Sequence, residues 1–343
     1  MGYVSAAEIA GAWGVSERTV RNYCAQGRVP GAHIVGKTWM IPEDAAKPAR
    51  ANARPAKPSP LLQRLRDEKD AGIKGGIYHK VQIDLTYNSN HIEGSRLTLD
   101  QTRLIFETAT IAADGELLRV DDIIETSNHF RAVDYIIDNA EAPLSEAMLK
   151  ELHRILKTAT TAAARGWFAV GEYKRLPNEV GGRRTAAPED VHKRVASLLR
   201  AYKPCAQHTL GDIIAFHVEL ERIHPFQDGN GRVGRLVMFK ECLASQVTPF
   251  IIADDMKGYY YNGLSQWDRE RGYLTDTCLL AQDKFAAALE YFRIEQAVED
   301  ALYERRLAEA LAESRTDFEE GRCYGSRSEM MTAVAAKREA PHT

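Results

Sequence analysis

HPFQDGNGRVGR, residues 224–235, packs one histidine, one carboxylate, three glycines, an asparagine and two arginines into twelve positions. The stretch before it, GDIIAFHVELERI, repeats apolar residues at helical spacing, and RLVMFKECLA at its end does the same, so the motif reads as a loop joining two helices. Gly229 and Gly231 allow backbone shapes that other residues resist, letting the N–H groups around Asn230 converge on an anion at the start of the second helix. Arg232 and Arg235, three apart, add two guanidinium groups that grip phosphate oxygens through paired hydrogen bonds. Asp228, a single carboxylate in this positive nest, is explained as a hard oxygen ligand for Mg²⁺ bridging phosphates. His224 is the loop's titrating base, able to take a proton from an attacking hydroxyl at neutral pH, and Phe226 reads as an inward anchor. No protein nucleophile is visible, so the set suits transfer of a phosphate-bearing group from a nucleotide to an alcohol by positioning, charge neutralisation and a base. The alternative is an ordinary glycine-rich turn carrying a surface histidine.

Around this motif, composition divides the 343 residues. AAKPARANARPAKPSP, residues 45–60, holds four prolines and six alanines and no large apolar side chain, so it is expected to be an extended tether spanning roughly 50 Å. Residues 61–292 carry helical apolar spacing in segment after segment, such as Met148, Leu149, Leu152, Ile155 and Leu156, which predicts a mainly α domain. Residues 293–343 read as a charged helix rich in Ala, Glu, Arg and Leu followed by a frayed tail. The net charge of −3 is unevenly spread: residues 1–60 have eight Lys/Arg against four Asp/Glu, leaving the front at +4 and the rest at −7. That asymmetry favours a polyanionic partner at the front only. The five cysteines have no close pair, no signal-like N-terminus or run of eighteen apolar residues occurs, and a soluble chain in a reducing cytoplasm is expected. His192, His208 and His217 have no metal-ligand spacing and read as packed or exposed histidines.

Residues 1–44 are read separately. Ser5 and Glu8 have capping-box spacing for a helix turning Ile9, Ala10 and Trp13 inward; Gly14 ends it, and Ser16 opens a second helix with Val20, Tyr23 and Cys24 inward. HIVGKTWMIP then reads as two short strands around Gly36 and Lys37. The arrangement resembles the winged helix-turn-helix of excisionase and MerR-type DNA-binding domains. The resemblance implies base contacts from Arg18, Thr19, Arg21 and Asn22 and phosphate contacts from Lys37 and Arg28. A small helical module docking protein is the alternative.

The loop matches every position of the signature H-P-F-x-D-G-N-G-R-x-x-R, and on it the chain resembles the Fic family. Members typically transfer AMP from ATP to a Ser, Thr or Tyr hydroxyl of a target protein, releasing pyrophosphate. The resemblance implies an all-helical core with His224 as base, Asp228 on Mg²⁺, and Gly229, Asn230, Gly231, Arg232 and Arg235 on the phosphates. EYKRLPNEVGGRRTAAPEDV from residue 172 fits the family's flap, a hairpin near 172–188 that docks the target backbone by strand addition, with Gly181 and Gly182 at its turn. GYYYNGL resembles the segment beside the adenine, implying Tyr260, Tyr261 and Asn262 there, with ordinary helix packing an equal alternative. ETSNHFRAVDYI, residues 125–136, looks like a core helix of the family.

SNHIEGS, Ser89 to Ser95, matches the family's inhibitory motif. Ser89 and Glu93, four apart, share one face of a helix expected near 86–94, with Gly94 closing it. In the family this Glu pairs with the motif's last arginine, here Arg235, and keeps ATP from seating its γ-phosphate. The expectation is an autoinhibited protein adenylyltransferase with a DNA-binding front, its partners a protein substrate, the chain itself included, DNA and a second copy of the chain. The alternatives are removal of AMP from a modified protein by the same site, with Glu93 orienting water, and a transcription regulator that senses ATP.

Overall fold

The computed structural model describes residues 2–25, 29, 31–35, 38–47, 58–112, 115, 117–204 and 206–294. The charged helix expected over 293–343 lies outside them apart from Arg293 and Ile294, as does most of the expected tether.

At the front, β1 (Tyr3–Ser5) leads into α1 (Ala6–Trp13), α2 (Glu17–Ala25), β2 (His33–Val35) and β3 (Thr38–Pro42). The Ser5/Glu8 capping box forms, with the Ser5 hydroxyl accepting from the Glu8 N–H and the Glu8 carboxylate accepting from the Ser5 N–H. Gly14, at φ 62°, stops α1. Ile9, Ala10, Val20, Cys24 and Ile41 make a small core of their own. The two strands expected around Gly36 pair antiparallel, and β1 adds a third, in the order β1-β3-β2. The extra strand carries no sequence signal of its own, because Tyr-Val-Ser is too short to show alternation.

The remainder is mainly helical, as expected: α3 (Pro60–Asp70), α4 (Ile77–Ile92), α5 (Leu99–Thr108), α6 (Val120–Asp138), α7 (Glu146–Lys157), α8 (Pro188–Tyr202), α9 (Leu210–Ile223), α10 (Asn230–Ser245), α11 (Lys257–Gln266) and α12 (Gly272–Tyr291). Among the described residues its one hairpin, β4 (Glu179–Val180) with β5 (Arg183–Arg184), stands in the α7–α8 connection. Gly181 and Gly182 turn it at φ 56° and 74°, the left-handed pair that a two-residue hairpin needs. No helix among the described residues is long and apolar enough to cross a membrane.

Helix α10 is the shaft of this domain. Apart from Gly231, every residue from Asn230 to Ser245 is buried, which matches a helix with no preferred polar face. On one side Val233, Leu236, Val237 and Phe239 join α3, α4, α6, α7, α8 and α9 in the larger core. On the other, Met238 and Cys242 pack with α9, α11 and α12 in a second core. Its charged residues are buried too and are met by opposite charge, Lys240 by Glu241 at 2.8 Å and the two arginines as described below.

Phe226 fixes the loop that enters this shaft. It is fully buried, with the His153 ring stacked on it at 4.2 Å and Tyr173 at 5.8 Å. Phe226→Ala is expected to cost about 3–5 kcal/mol, lost transfer energy plus a cavity. Urea unfolding checks this, and a loss below about 1 kcal/mol contradicts the anchoring role.

Candidate functional site

The geometry starts from a strained residue. Helix α9 ends at His224, whose φ of 50° is left-handed for a side chain that resists it, with its N–H donating to the Leu220 carbonyl at 2.9 Å. Six residues on, Asn230 closes the loop reciprocally: its carboxamide oxygen accepts the Phe226 N–H at 2.8 Å and its amide donates to the Phe226 carbonyl at 2.9 Å. Gly229, at φ 80°, then opens α10. The first turn of α10 therefore aims backbone N–H groups at the space beside His224.

Two buried arginines project from that turn, and each has found a carboxylate. Arg235 donates from Nε to the Ser89 hydroxyl at 3.0 Å and from one terminal nitrogen to the Ser89 carbonyl and Glu93 Oε1, both at 2.8 Å. Its other terminal nitrogen is buried without a partner. Arg232 donates to Glu125 at 2.5 Å; Glu125 also pairs with Lys157, and Lys157 donates to Asp228 Oδ2 at 2.5 Å. The result is a relay of alternating charge, Arg232, Glu125, Lys157, Asp228, along α10, α6, α7 and the loop.

These pairs set the protonation states. Burial opposes charge on Asp228, but Lys157 and Arg232 outweigh it and hold the carboxyl down at about 2. Burial likewise opposes charge on Glu93, and Arg235 and Arg232 keep it below its ordinary 4.5. Burial pushes His224 down to about 4, helped by the nearby Lys174 cation, so its imidazole is neutral at pH 7. Glu221 goes the other way: sunk among Tyr260, Arg235 and Glu93, with one carboxyl oxygen unpartnered, it is raised to about 7 by burial and then by the Glu93 charge.

Glycine is required at two places here. A Cβ on Gly231 would stand 2.3 Å from Glu93 Oε1, and one on Gly234 would stand 2.7 Å from the His217 ring. The Glu93 carboxylate thus lies directly over the first turn of α10. Glu93 itself caps α4, and Gly94 follows at φ 96°, so the helix expected near 86–94 is the last turn of the longer α4.

The hairpin stem is fastened to the motif loop. The Lys174 N–H donates to the Pro225 carbonyl, Leu176 N–H to the Gln227 side chain, the Asn178 amide to the Phe226 carbonyl and Ala186 N–H to the Ile223 carbonyl. Between hairpin and α11 lies a cavity of about 560 Å³ lined by Val180, Gly181, Arg183, Glu221, Tyr261 and Leu264. Tyr261 faces it. Tyr260 does not: it is 1% exposed, its hydroxyl bound to His217 at 2.7 Å, because position 260 turns into the second core. This removes Tyr260 from the residues that can touch a base. Asn262 is exposed, and its carbonyl accepts from Ser265.

Asp228 is the loop's only anionic metal donor, and no group of three or more His, Cys, Asp or Glu suited to a metal occurs among the described residues. An ionised, half-exposed carboxylate fits Mg²⁺ whose remaining ligands are phosphate oxygens and water. In the N-terminal module Arg18 is exposed, Thr19 shares a hydrogen bond with Ser16, and Arg21 is paired with Glu17 on its own helix. Lys37, Arg28 and the Asn22 side chain lie outside the described residues.

Sequence reasoning missed Glu125, Lys157, Lys174 and Glu221. Glu125 had a signal, standing in the stretch that looks like a family helix. The three others sit in ordinary amphipathic or loop surroundings, where a charged residue reads as solvated.

Comparison with known proteins agrees with this geometry. Residues 143–242, covering α7 to most of α10, match the profile of the family described as Fic/DOC. The chain is similar to the proteins named protein adenylyltransferase Fic of Nematostella vectensis, 29% identical over 184 residues, and Drosophila grimshawi, 31% over 185. The aligned parts cover 52% of this chain in both cases and 42% and 36% of those proteins, so the chain spans less than half the length of these curated relatives. In structure it is similar to a Fic domain containing signaling protein from Bacteroides thetaiotaomicron, at TM-score 0.55 and 24% identity, covering 69% of this chain and 97% of that one. It is also similar to Fic-1 from C. elegans, at TM-score 0.52 and 18% identity, covering 68% and 72%. These likenesses carry the fold.

Glu221 gives a pH test. A carboxyl raised from 4.5 to about 7 in the folded chain contributes stability that is full below pH 4.5 and lost as pH rises through 7. The melting temperature of Glu221→Gln, relative to the parent, is therefore expected to climb between those values. A difference independent of pH contradicts the assignment.

Proposed function

We propose that this chain is a protein adenylyltransferase that its own α4 holds in check. The observation that carries this reading is the Glu93 carboxylate seated on Arg235 and over Gly231, at the point where a triphosphate tail would meet the first turn of α10.

In this reading ATP lies along the loop, its phosphates on the N–H groups of Gly229, Asn230 and Gly231 and on Arg232, with the adenosine toward the cavity beside Tyr261. Asp228 would hold Mg²⁺, which would supply charge neutralisation for the departing pyrophosphate. The hairpin edge takes an extended segment of the target as an added strand, presenting a Ser, Thr or Tyr hydroxyl to His224. His224, neutral at pH 7, accepts the hydroxyl proton as its oxygen bonds to the α-phosphorus; the bond to the β-phosphate oxygen breaks, and pyrophosphate leaves. Arg235 serves the terminal phosphate only after Glu93 withdraws, since a guanidinium spent on a carboxylate and on Ser89 has one nitrogen left.

We further propose that residues 1–44 are a DNA-reading module, 45–60 a tether and 61–292 the transferase, acting in the cytoplasm. With Arg21 tied to Glu17, Arg18 and Thr19 are the described side chains of the second helix best placed for base edges.

Incubation of Glu93→Gly with α-labelled ATP, Mg²⁺ and a cell extract is expected to label protein about a hundredfold more than the parent, since one phosphate-binding group is released. Adding His224→Ala abolishes the label. An inert Glu93→Gly contradicts this reading, and if the parent strips AMP from a modified protein, the site works in the removing direction.

A further inference from the structure

Lys174, four residues before the hairpin stem meets Asn178, is 3% exposed although it is a lysine on a surface connection. Its ammonium donates to the Asn178 carboxamide oxygen at 2.7 Å, the Thr185 hydroxyl at 2.6 Å and the Ile223 carbonyl at 3.4 Å. Its backbone N–H donates to the Pro225 carbonyl at 2.9 Å. One residue therefore holds the carbonyl before His224 with its side chain and the carbonyl after it with its backbone. His224 is the left-handed residue in between, at φ 50°. A strained, non-glycine conformation persists only where its surroundings over-determine it. Asn178 and Thr185 belong to the two arms of the hairpin, so the same ammonium joins both arms to the end of α9.

From this geometry we propose that Lys174 is the positioning residue of His224, fixing the imidazole against the hairpin that presents the target and setting the charge it feels; this rests on the transferase reading. The charged and titratable groups facing His224 are Glu221 from α9, Glu93 from the end of α4, Asp228 from the loop and Lys174 from the hairpin stem. Lys174 is the cation among them. The Glu93 and Asp228 carboxylates, with the Glu221 backbone, would favour an imidazolium, which cannot accept a proton, and Lys174 opposes them in keeping the ring neutral. Burial and Arg194 of α8 lower Lys174 itself only to about 8, so it is charged at pH 7.

Histidine ¹⁵N NMR of the full chain from pH 3 to 8 tests this, with the His224 signal assigned by its loss in His224→Asn. Lys174→Met is expected to raise the His224 midpoint by about 0.5–1 unit as the neighbouring cation is removed. With Glu93→Gly also present, it is expected to lower kcat for protein labelling by about tenfold or more while KM for ATP stays within about threefold. Lys174→Arg keeps the low midpoint and restores most of the turnover. Should Lys174→Met fail to fold, Lys174→Gln, which keeps two donors without the charge, takes its place. An unshifted midpoint in a folded variant overturns the inference, and so does a kcat within about twofold of the Lys174 parent. The titration needs no turnover: absence of label from every variant sinks the transferase reading, whereas the midpoint alone decides whether Lys174 tunes His224.

Discussion

A guanidinium in a protein core keeps its charge, so it must be answered by opposite charge and by acceptors, and Arg235 is such a group. It is 4% exposed, beneath the first turn of the central helix, and what answers it comes from α4: the Ser89 hydroxyl and carbonyl and the Glu93 carboxylate. Removing one partner of a buried charge pair costs more than the pair contributes net, because the remaining charge is stranded. In the proposed transferase, whatever draws Glu93 away would leave another anion on Arg235, and a phosphate chain is the anion that reading supplies.

The rest of the site follows from the same constraint. Arg232 sits one turn earlier and has its own carboxylate, Glu125, which leads on through Lys157 to Asp228. Asp228, half-exposed, thus stays ionised, the state the proposed Mg²⁺ would need. Negative charge gathered around the arginines would also load a proton onto His224; burial and the Lys174 cation prevent that. Glu221 is the carboxyl that cannot be accommodated as an anion, and it keeps its proton to about pH 7 instead. Each group's state is legible only from the others, which is why the site behaves as one electrostatic unit.

Much of this was readable in the sequence because the motif is contiguous. The loop between two helices, the turn at Gly181 and Gly182, the inward Phe226 and the shared face of Ser89 and Glu93 are all local spacings. Helix content followed from apolar periodicity. What was not readable came from residues far apart in the chain: Lys157 reaches across 71 positions to Asp228, and Arg232 across 107 to Glu125. Lys174 and Glu221 look like surface charges until the fold encloses them. Tyr260 went astray for a related reason, since in GYYYNGL three consecutive tyrosines point three ways on a helix, and spacing alone does not say which one the second core claims.

The most direct test of the central claim is a crystal structure of Glu93→Gly with a non-hydrolysable ATP analogue and Mg²⁺. The account predicts the terminal phosphate on Arg235, the inner phosphates on the N–H groups after Gly229, and the metal between Asp228 and the phosphate oxygens. A nucleotide bound elsewhere, with Arg235 still turned to Ser89 and no phosphate at the first turn of α10, would contradict it.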